Sequence, residues 1–335
     1  MNRRLFPSWS LWAMALCIGL LTACGGPPTP TLTPQPTATA TPRSTPIPPV
    51  PTAIPLASGE NPLTVLMLPQ GTRRAAAGAD ETLEELILEL AGLTVDVEIV
   101  NSYGEIVAQL CGATPVVGWV DGPSFMVAEA QRCADPALLV ERGGATGFRV
   151  EVLMSAALAG EEVTADDLAR LEDEDWCRLD SEDLITWFVP SLMLYAAGVN
   201  PVYDLDDIRD VGDYDAIIAG IYNGDCEAGA VPLGYFEEEI GAELRALEDL
   251  RETVVALPPS PEIPYDILVY PQTVPLNVRI PLTDVFVQIA ADDDQAAVLA
   301  SILQQDRLRR VDRDDFDEFR EFMASTGLNF AALGE

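Results

Sequence analysis

Short apolar strands alternate with amphipathic helices along most of this chain, and this alternation constrains its fold more than any other feature. Residues 63–68 (LTVLML) predict a strand, and residues 81–91 place Leu83, Ile87 and Leu90 on one face of a helix. Further strands are predicted at 95–100, 116–120, 137–140, 148–153, 176–179, 228–231, 253–257 and 266–270, with helices at 105–110, 124–131, 189–198 and around 214–221. This order predicts an α/β protein with mostly parallel sheets.

Two segments repeat one order of elements. Residues 106–125 and 217–236 each run through an apolar helix, a glycine turn, a strand of small residues and a glycine-containing loop that ends in phenylalanine. Two lobes built on similar strand–helix–strand units would produce this repetition, with a cleft at the carboxyl ends of both sheets. Chance similarity between such units is the alternative explanation.

The N-terminal region reads as an export signal followed by a tether. Residues 1–23 hold two arginines and then a short apolar run, and they end in Leu-Thr-Ala before Cys24. This junction resembles the bacterial lipobox, which implies that Cys24 is lipidated after cleavage; a plain signal peptide with an incidental cysteine is the alternative. Residues 24–59 are dominated by Pro, Thr and Ala, a composition that favours an extended linker. We therefore expect an extracytoplasmic protein anchored to a membrane by lipid.

The composition excludes several classes of chemistry. The chain has no histidine, and its 19 basic residues are all arginine, against 54 Asp and Glu residues, for a net charge of −35. Catalysis by Ser-His-Asp or Cys-His groups, His-ligated zinc, a P-loop lysine and Schiff-base chemistry all need residues that are missing here. Nucleic acid and anionic membrane surfaces are poor partners for so acidic a protein. Chemistry with paired carboxylates remains open.

Four cysteines remain besides Cys17 in the signal and Cys24. An even number in an exported chain indicates disulfides, and three pairings are possible. Cys111 and Cys133 each end a helical segment just before an apolar strand, so we expect them to be neighbours across a parallel sheet. Cys177 opens one predicted strand and Cys226 precedes another. We predict the pairs Cys111–Cys133 and Cys177–Cys226, with four buried free thiols as the alternative.

Four segments together resemble a known family. Residues 213–231 (DYDAIIAGIYNGDCEAGAV) are similar to the signature of the phosphate/phosphonate-type substrate-binding proteins of ABC importers. Residues 101–125, 179–201 and 260–268 resemble three other motifs of that family, in the same order. The resemblance extends over about residues 62–325, nearly all of the predicted folded part.

The resemblance implies a type II periplasmic-binding-protein fold with a cleft between two lobes. One lobe would comprise residues 60–152 and 269–335, the other residues 153–268, and the strands at 148–153 and 266–270 would cross the hinge. It further implies a monomer without a cofactor, which captures a small molecule and delivers it to a membrane permease. We accordingly expect a binding protein and not an enzyme.

The family's ligand-facing positions can be matched one by one to residues of this sequence. Tyr103 matches a ligand-facing tyrosine, and Phe125 replaces a tyrosine, while Ser124 retains a hydroxyl and a backbone N–H at the start of a helix. Tyr214 stands where the family has histidine. Asp266 matches the aspartate that faces the ammonium group of amine-bearing ligands. Core packing, or for Asp266 a role at the start of a strand, is the alternative for these positions.

The family's phosphate-binding stretch is altered in this chain. Across the stretch of its S-T-S-G motif this chain has Glu182–Thr186, so carboxylates and aliphatic side chains stand where the family has hydroxyls. We expect Ser181 to cap the following helix, with Thr186 near the ligand and with Trp187 and Trp119 lining the cleft or packing in the core. Phosphate and simple phosphonates are therefore predicted not to bind tightly.

Other functions remain open at this stage. A sensor lobe that presents its ligand to a signalling partner would have the same fold. A carboxylate-dependent hydrolase would need a recognisable nucleophile or acid–base motif, and the sequence shows none. The acidic segment 311–319 suggests a calcium loop, but it lacks the glycine of an EF-hand, so no metal site is predicted there.

Overall fold

The structure is a computed structural model that describes residues 54–70 and 76–332. The signal segment, Cys24 and nearly all of the Pro/Thr-rich tract lie outside the described residues. The strands are β1 (Leu63–Met67), β2 (Val95–Ile99), β3 (Val116–Val120), β4 (Asp135–Glu141), β5 (Gly147–Phe148), β6 (Val150–Ser155), β7 (Trp176–Arg178), β8 (Ile208–Asp210), β9 (Ala228–Pro232), β10 (Val254–Ala256), β11 (Ile263–Pro264), β12 (Ile267–Tyr270) and β13 (Arg307–Arg310). The α-helices are α1 (Ala79–Ala91), α2 (Tyr103–Leu110), α3 (Gly122–Ala130), α4 (Val189–Ala196), α5 (Tyr214–Asn223), α6 (Ala242–Arg245), α7 (Leu250–Thr253), α8 (Leu276–Ala291), α9 (Ala296–Leu303) and α10 (Asp317–Ser325).

Two sheets form the centres of two lobes. The larger sheet has the strand order β13-β4-β12-β3-β1-β2, and the smaller has the order β10-β6-β9-β7-β8. We call the parts built on these sheets the larger lobe and the smaller lobe. The predicted α/β class is confirmed, and the helices and strands expected from periodicity lie where they were predicted.

The strand directions differ from the expected mostly parallel arrangement. β1 is parallel to β2 and β3, and β7 is parallel to β8 and β9. β12 is antiparallel to β3 and β4, β13 to β4, and β6 to both β9 and β10. Both sheets are therefore mixed, because the strands that arrive from the other lobe enter each sheet in the reverse direction.

The chain passes between the sheets through two neighbouring segments. β4 leaves the larger sheet at the edge where β3 ends, and β6 begins at the edge of the smaller sheet where β9 ends. The return path runs from the end of β10 to the start of β12, between the same two edges. The carboxyl edges of both sheets therefore adjoin the crossing segments, the position in which open α/β sheets bind ligands.

The crossing segments pair with each other between the two sheets. β5 and β11 form a short antiparallel ribbon in which Phe148 lies opposite Ile263 and Gly147 opposite Pro264. A Cβ atom on Gly147 would lie 2.3 Å from the carbonyl oxygen of Ile263, so only glycine permits this close approach. Of the segments predicted to cross the hinge, only Phe148 lies in this ribbon, because β6 belongs to the smaller sheet and β12 to the larger.

One hydrophobic core joins the lobes behind the crossings. It contains Val120 and Leu139 from the larger sheet, Val152 and Met154 from the smaller sheet, and the aromatic side chains of the C-terminal segment, Phe316, Phe319 and Phe322. Each lobe has a second core on its other face. In the described residues, no helix combines the length and the apolar character needed to cross a lipid bilayer.

The structure contains both predicted disulfides. The Cα atoms of Cys111 and Cys133 are 5.0 Å apart, and those of Cys177 and Cys226 are 5.9 Å apart. The prediction that Cys111 and Cys133 are neighbours across a parallel sheet is wrong, because β12 lies between β3 and β4. The ends of helices α2 and α3 bring these two cysteines together instead.

Candidate functional site

Five polar side chains meet at the carboxyl edge of the larger sheet. Gln70 follows β1, Tyr103 begins α2 after β2, and Asp121 directly follows β3. Arg142 directly follows β4, and Asp266 directly precedes the antiparallel strand β12. Because β12 and β4 run in opposite directions, the start of one and the end of the other lie side by side. Segments distant in sequence are thus brought to one edge of one sheet.

Asp266 is the centre of a hydrogen-bond network at this edge. Its Oδ1 accepts bonds from the Tyr103 hydroxyl at 2.5 Å and from Gln70 Nε2 at 3.1 Å. Its Oδ2 accepts a bond from Arg142 at 2.6 Å, and Gln70 also donates to the Tyr103 hydroxyl. The Asp266 residue is only 2% exposed. Both of its oxygens are therefore occupied by groups of the protein.

Burial shifts the protonation of this network. Burial raises the pKa of Asp266, while the neighbouring Arg142 guanidinium lowers it. Burial also raises the pKa of Asp121 to about 6, opposed by hydrogen bonds from Ser124 and reinforced by the charge of Asp266. The pKa of Tyr103 is raised by burial and by both carboxylates. Tyr103 is therefore a neutral hydrogen-bond donor.

The carboxyl edge of the smaller sheet carries a different arrangement, centred on Asp183. Its Oδ1 accepts hydrogen bonds from the backbone N–H of Ile185 at 3.1 Å and of Thr186 at 2.6 Å. The Thr186 hydroxyl donates to the same oxygen at 2.7 Å and accepts a bond from the backbone N–H of Leu179 at 3.0 Å. Asp183 thus caps the helical turn Leu184–Phe188, which runs directly into α4.

Aromatic side chains surround this cap. Tyr214 begins α5 and meets Tyr235 with ring centroids 5.0 Å apart. Its pKa is raised by burial and by the charge of Asp183. The guanidinium of Arg178 lies 4.5 Å from the ring centroid of Trp187 and pairs with Asp210 at 2.7 Å. The carboxyl edge of the smaller sheet, which we call the smaller edge, therefore combines carboxylates with aromatic rings.

The structure separates the predicted site residues into groups. Tyr103 and Asp266 are in direct contact at the carboxyl edge of the larger sheet, which we call the larger edge. Tyr214 and Trp187 lie at the smaller edge. Ser124 is half-buried on the first turn of α3, where its backbone N–H donates to Asp121 at 2.9 Å. These positions stay predictions as ligand contacts.

Three other expectations do not fit the observed contacts, and Trp119, which was expected in the cleft or in the core, lies in the core. Phe125 is fully buried against Phe316, with centroids 4.9 Å apart, so its ring belongs to the core. Trp119 is fully buried against Phe286. Thr186 is also fully buried, and its hydroxyl is used by the cap. Ser181 is exposed, and Asp183 caps the helix in its place.

Three residues of the larger edge were not found by sequence reasoning. Gln70 and Arg142 are polar residues that follow largely apolar strands. This position marks the edge of a sheet but does not indicate which side chains meet there. Asp121 carries a clearer signal, because an Asp before Gly-Pro is typical of a helix N-cap. Its place at the end of a buried strand indicates a carboxylate at the cleft edge of the sheet.

The acidic C-terminal segment uses its carboxylates for structure. Asp312 and Asp315 cap the turn Arg313–Phe316 reciprocally, and Asp317 pairs with Arg320. In the described part of the chain, no group of three or more Asp, Glu or Cys side chains has the arrangement of a metal site. The two edges instead present side chains that form hydrogen bonds, together with aromatic rings.

Solved structures resemble this chain at low sequence identity. XAC2383 from Xanthomonas citri, bound to chloride ion, is 14% identical, with 79% of this chain and 97% of that chain covered and a TM-score of 0.54. A binding-protein component of an ABC phosphonate transporter from Pseudomonas aeruginosa is 17% identical, with 82% and 89% covered and a TM-score of 0.49. At these identities the likeness to XAC2383 supports the fold alone.

The comparison of the sequence with family models identifies the family, which the solved structures do not. No curated protein gives a significant match to it. The family model described as "ABC transporter, phosphonate, periplasmic substrate-binding protein" matches residues 65–316, about three quarters of the chain. This range includes both sheets and both carboxyl edges. The chain therefore belongs to the family of periplasmic substrate-binding proteins of ABC phosphonate transporters.

Proposed function

We propose that this protein is a lipid-anchored solute receptor of an ABC importer that captures a small neutral or cationic solute between its lobes. Phosphate and simple phosphonates are not its tight ligands. The observation that carries this proposal is the Asp183 carboxylate, which accepts two backbone N–H groups and one hydroxyl at the start of a helix. These are the donors that would otherwise surround an oxyanion.

Two other helices at the edges support the same conclusion. Asp121 caps α3 by accepting the backbone N–H of Ser124, and Asp213 caps α5 by accepting that of Ala216 at 2.8 Å. These two helix N-termini therefore each have a carboxylate from their own chain, whereas α2 is capped by the Ser102 hydroxyl. A phosphate about 4 Å from one such carboxylate would be repelled by about 4 kcal/mol per unit charge at the effective dielectric constant of a protein surface. A solute without negative charge avoids this cost.

Binding should be tested with solutes of opposite charge. We expect isothermal titration to give no binding tighter than millimolar for phosphate and methylphosphonate. We expect a thermal-shift panel of amines, quaternary ammonium compounds and neutral polyols to contain a solute that raises the melting temperature, because a ligand stabilises only the folded state that binds it. Micromolar affinity for phosphate or methylphosphonate in the unmodified protein would overturn the proposed ligand class. A panel without any shift would overturn solute binding.

The lipid anchor is supported by the lipobox-like junction and the extended tract that follows it. Ala57 already packs in the core of the larger lobe, so the tether would end before it. At about 3.1 Å per residue, a polyproline-like tether of residues 24–53 would let the folded part move many tens of ångströms from the membrane. This reach suits delivery to a permease in the same membrane. Presentation to a signalling partner is the alternative role, and no observation at the two edges favours it.

Metabolic labelling with a fatty acid tests the anchor. We expect the full-length chain to incorporate label and to partition into detergent, and Cys24→Ser to abolish both. Cys17→Ser is the matched control, since it changes a cysteine in the segment predicted to be removed. Labelling that persists in Cys24→Ser, or that is lost in both variants, would contradict lipidation at Cys24.

A further inference from the structure

Asp266 is not free to receive a charged group of a ligand. Its Oδ1 is bonded to Tyr103 and Gln70, and its Oδ2 to Arg142 at 2.6 Å. Arg142 is held in turn by the carbonyl oxygen of Leu303 at 2.8 Å, and its guanidinium lies 4.4 Å from the ring centroid of Tyr265. A ligand ammonium could reach Asp266 only by displacing a buried ion pair, which costs several kcal/mol.

Asp121 is the second carboxylate of the same edge, and its charge is not compensated. In the described residues it makes no ion pair, and its hydrogen-bond donors are the backbone N–H of Ser124 at 2.9 Å and the Ser124 side chain. It directly follows Val120, which lies opposite Ile267 in the antiparallel pair of β3 and β12, so Asp121 and Asp266 adjoin each other at the ends of neighbouring strands. Its charge raises the pKa of Tyr103, and the charge of Asp266 raises its own pKa. With both carboxylates ionised, Asp121, Asp266 and Arg142 together carry a net charge of −1.

We propose that Asp121 receives the positively charged group of the solute, so that the bound solute completes the charge balance of the larger edge. This inference rests on the proposed function. The solute class is a small organic cation, a primary amine or a quaternary ammonium compound, whose charge lies against Asp121 and beside the Tyr103 ring. The smaller edge contributes aromatic rings, including Tyr214 and Tyr235. The guanidinium of Arg178 at this edge is already paired with Asp210.

Asp121 links cation binding to pH. Its neighbours are Asp266 and Tyr103, while Arg142 is engaged by Asp266. With its pKa raised to about 6, Asp121 is ionised at pH 7.5 and largely protonated at pH 5. A cation then competes with a proton for one carboxylate. We expect affinity for a cation to fall by about tenfold per pH unit below about pH 6.

Pairs of charged and uncharged isosteres test this inference. The probes are choline with its neutral isostere 3,3-dimethylbutan-1-ol, and ethanolamine with ethylene glycol, titrated calorimetrically into the full-length protein at pH 7.5 and pH 5. We expect at least one cation to bind at least tenfold more tightly than its neutral isostere at pH 7.5. We expect Asp121→Asn to weaken that cation at least tenfold and to remove the pH dependence of its binding.

Asn is as good an N-cap as Asp, so Asp121→Asn should keep α3 intact. Asp312→Asn is the matched control, because Asp312 also caps a helical turn in the larger lobe but follows β13 at the opposite edge of the sheet. We expect it to bind the cation as the unmodified protein does.

Three outcomes would overturn the inference: equal cation affinity in the unmodified protein and Asp121→Asn, affinity that does not change between pH 5 and 7.5, or no binding of either cation. If a neutral solute raises the melting temperature while both cations fail, the proposed solute receptor stands and the role of Asp121 falls. Tight binding of methylphosphonate would instead contradict the proposed function itself.

Discussion

The carboxyl edges of the two sheets differ in how far their polar groups are buried and in how much apolar surface they expose. The larger edge is a buried polar network in which Asp266 is 2% exposed and each of its oxygens has a partner. The smaller edge leaves apolar surface open, with Phe188 41% and Leu233 48% exposed, and its ion pair Arg178–Asp210 includes an aspartate side chain that is 59% exposed. The difference suggests a division of work, in which the larger edge fixes the polar group of the solute and the smaller edge covers it.

The largest expected effect comes from breaking the buried ion pair. Arg142→Ala leaves Asp266 buried without its cation, and we expect the free energy of unfolding to fall by about 3–5 kcal/mol. Asp210→Ala removes the exposed partner of Arg178 at the smaller edge, where we expect a loss of about 0–1 kcal/mol. Urea denaturation of both variants measures the contrast. Equal losses would show that the two edges do not differ in this way.

The next effect concerns the helix cap of the smaller edge. Thr186→Val removes a hydroxyl that bonds to both Asp183 and the N–H of Leu179, so two buried groups lose a partner. We expect a loss of about 1–3 kcal/mol in the free energy of unfolding. Ser181→Ala changes an exposed residue two positions before the cap and should cost under about 0.5 kcal/mol. A larger loss in Ser181→Ala would restore Ser181 as the cap.

The smallest effect is a gain in stability at the larger edge. Because the pKa of Asp121 is raised from 3.8 to about 6, the folded protein holds this proton more tightly than the unfolded chain. Its contribution to stability is therefore present at low pH and is lost as the pH rises from about 4 to about 6. We expect Asp121→Asn to raise the free energy of unfolding by about 1–2 kcal/mol at pH 7.5 and by little at pH 4.

Thermal unfolding across this pH range, with Asp312→Asn as the control, measures that gain. A stabilised variant that has lost cation affinity would identify Asp121 as a residue kept for binding at the expense of stability. Destabilisation of Asp121→Asn at pH 7.5 would show that the ionised carboxylate has a stabilising partner.

Local sequence patterns predicted the elements well but not their arrangement. Strands such as 63–68 and 116–120 were found because a run of buried apolar residues is a local signal. β13 (RLRR) and the three-residue β8 (IRD) carry no such pattern, since β13 is an edge strand with charged side chains. The insertion of β12 between β3 and β4 depends on pairing between segments almost 150 residues apart, which no local pattern contains.

The candidate site was likewise predicted only in part from the sequence. The resemblance placed Tyr103 and Asp266 at the cleft, and they are in contact. It did not include Arg142, whose partner lies 124 residues away along the chain. The cap was assigned to Ser181 because Ser and Asp are both good N-cap residues and stand two positions apart. The course of the turn after β7 decides between them, and that course depends on tertiary packing.

The shared core behind the crossings has a thermodynamic consequence. Because the aromatic side chains of the C-terminal segment pack into one core with strands from both sheets, neither lobe can lose its packing without exposing part of the other. We expect scanning calorimetry to show one endotherm whose calorimetric and van't Hoff enthalpies agree, rather than two overlapping melts. A solute held mainly by one lobe would then shift the melting of the entire folded part.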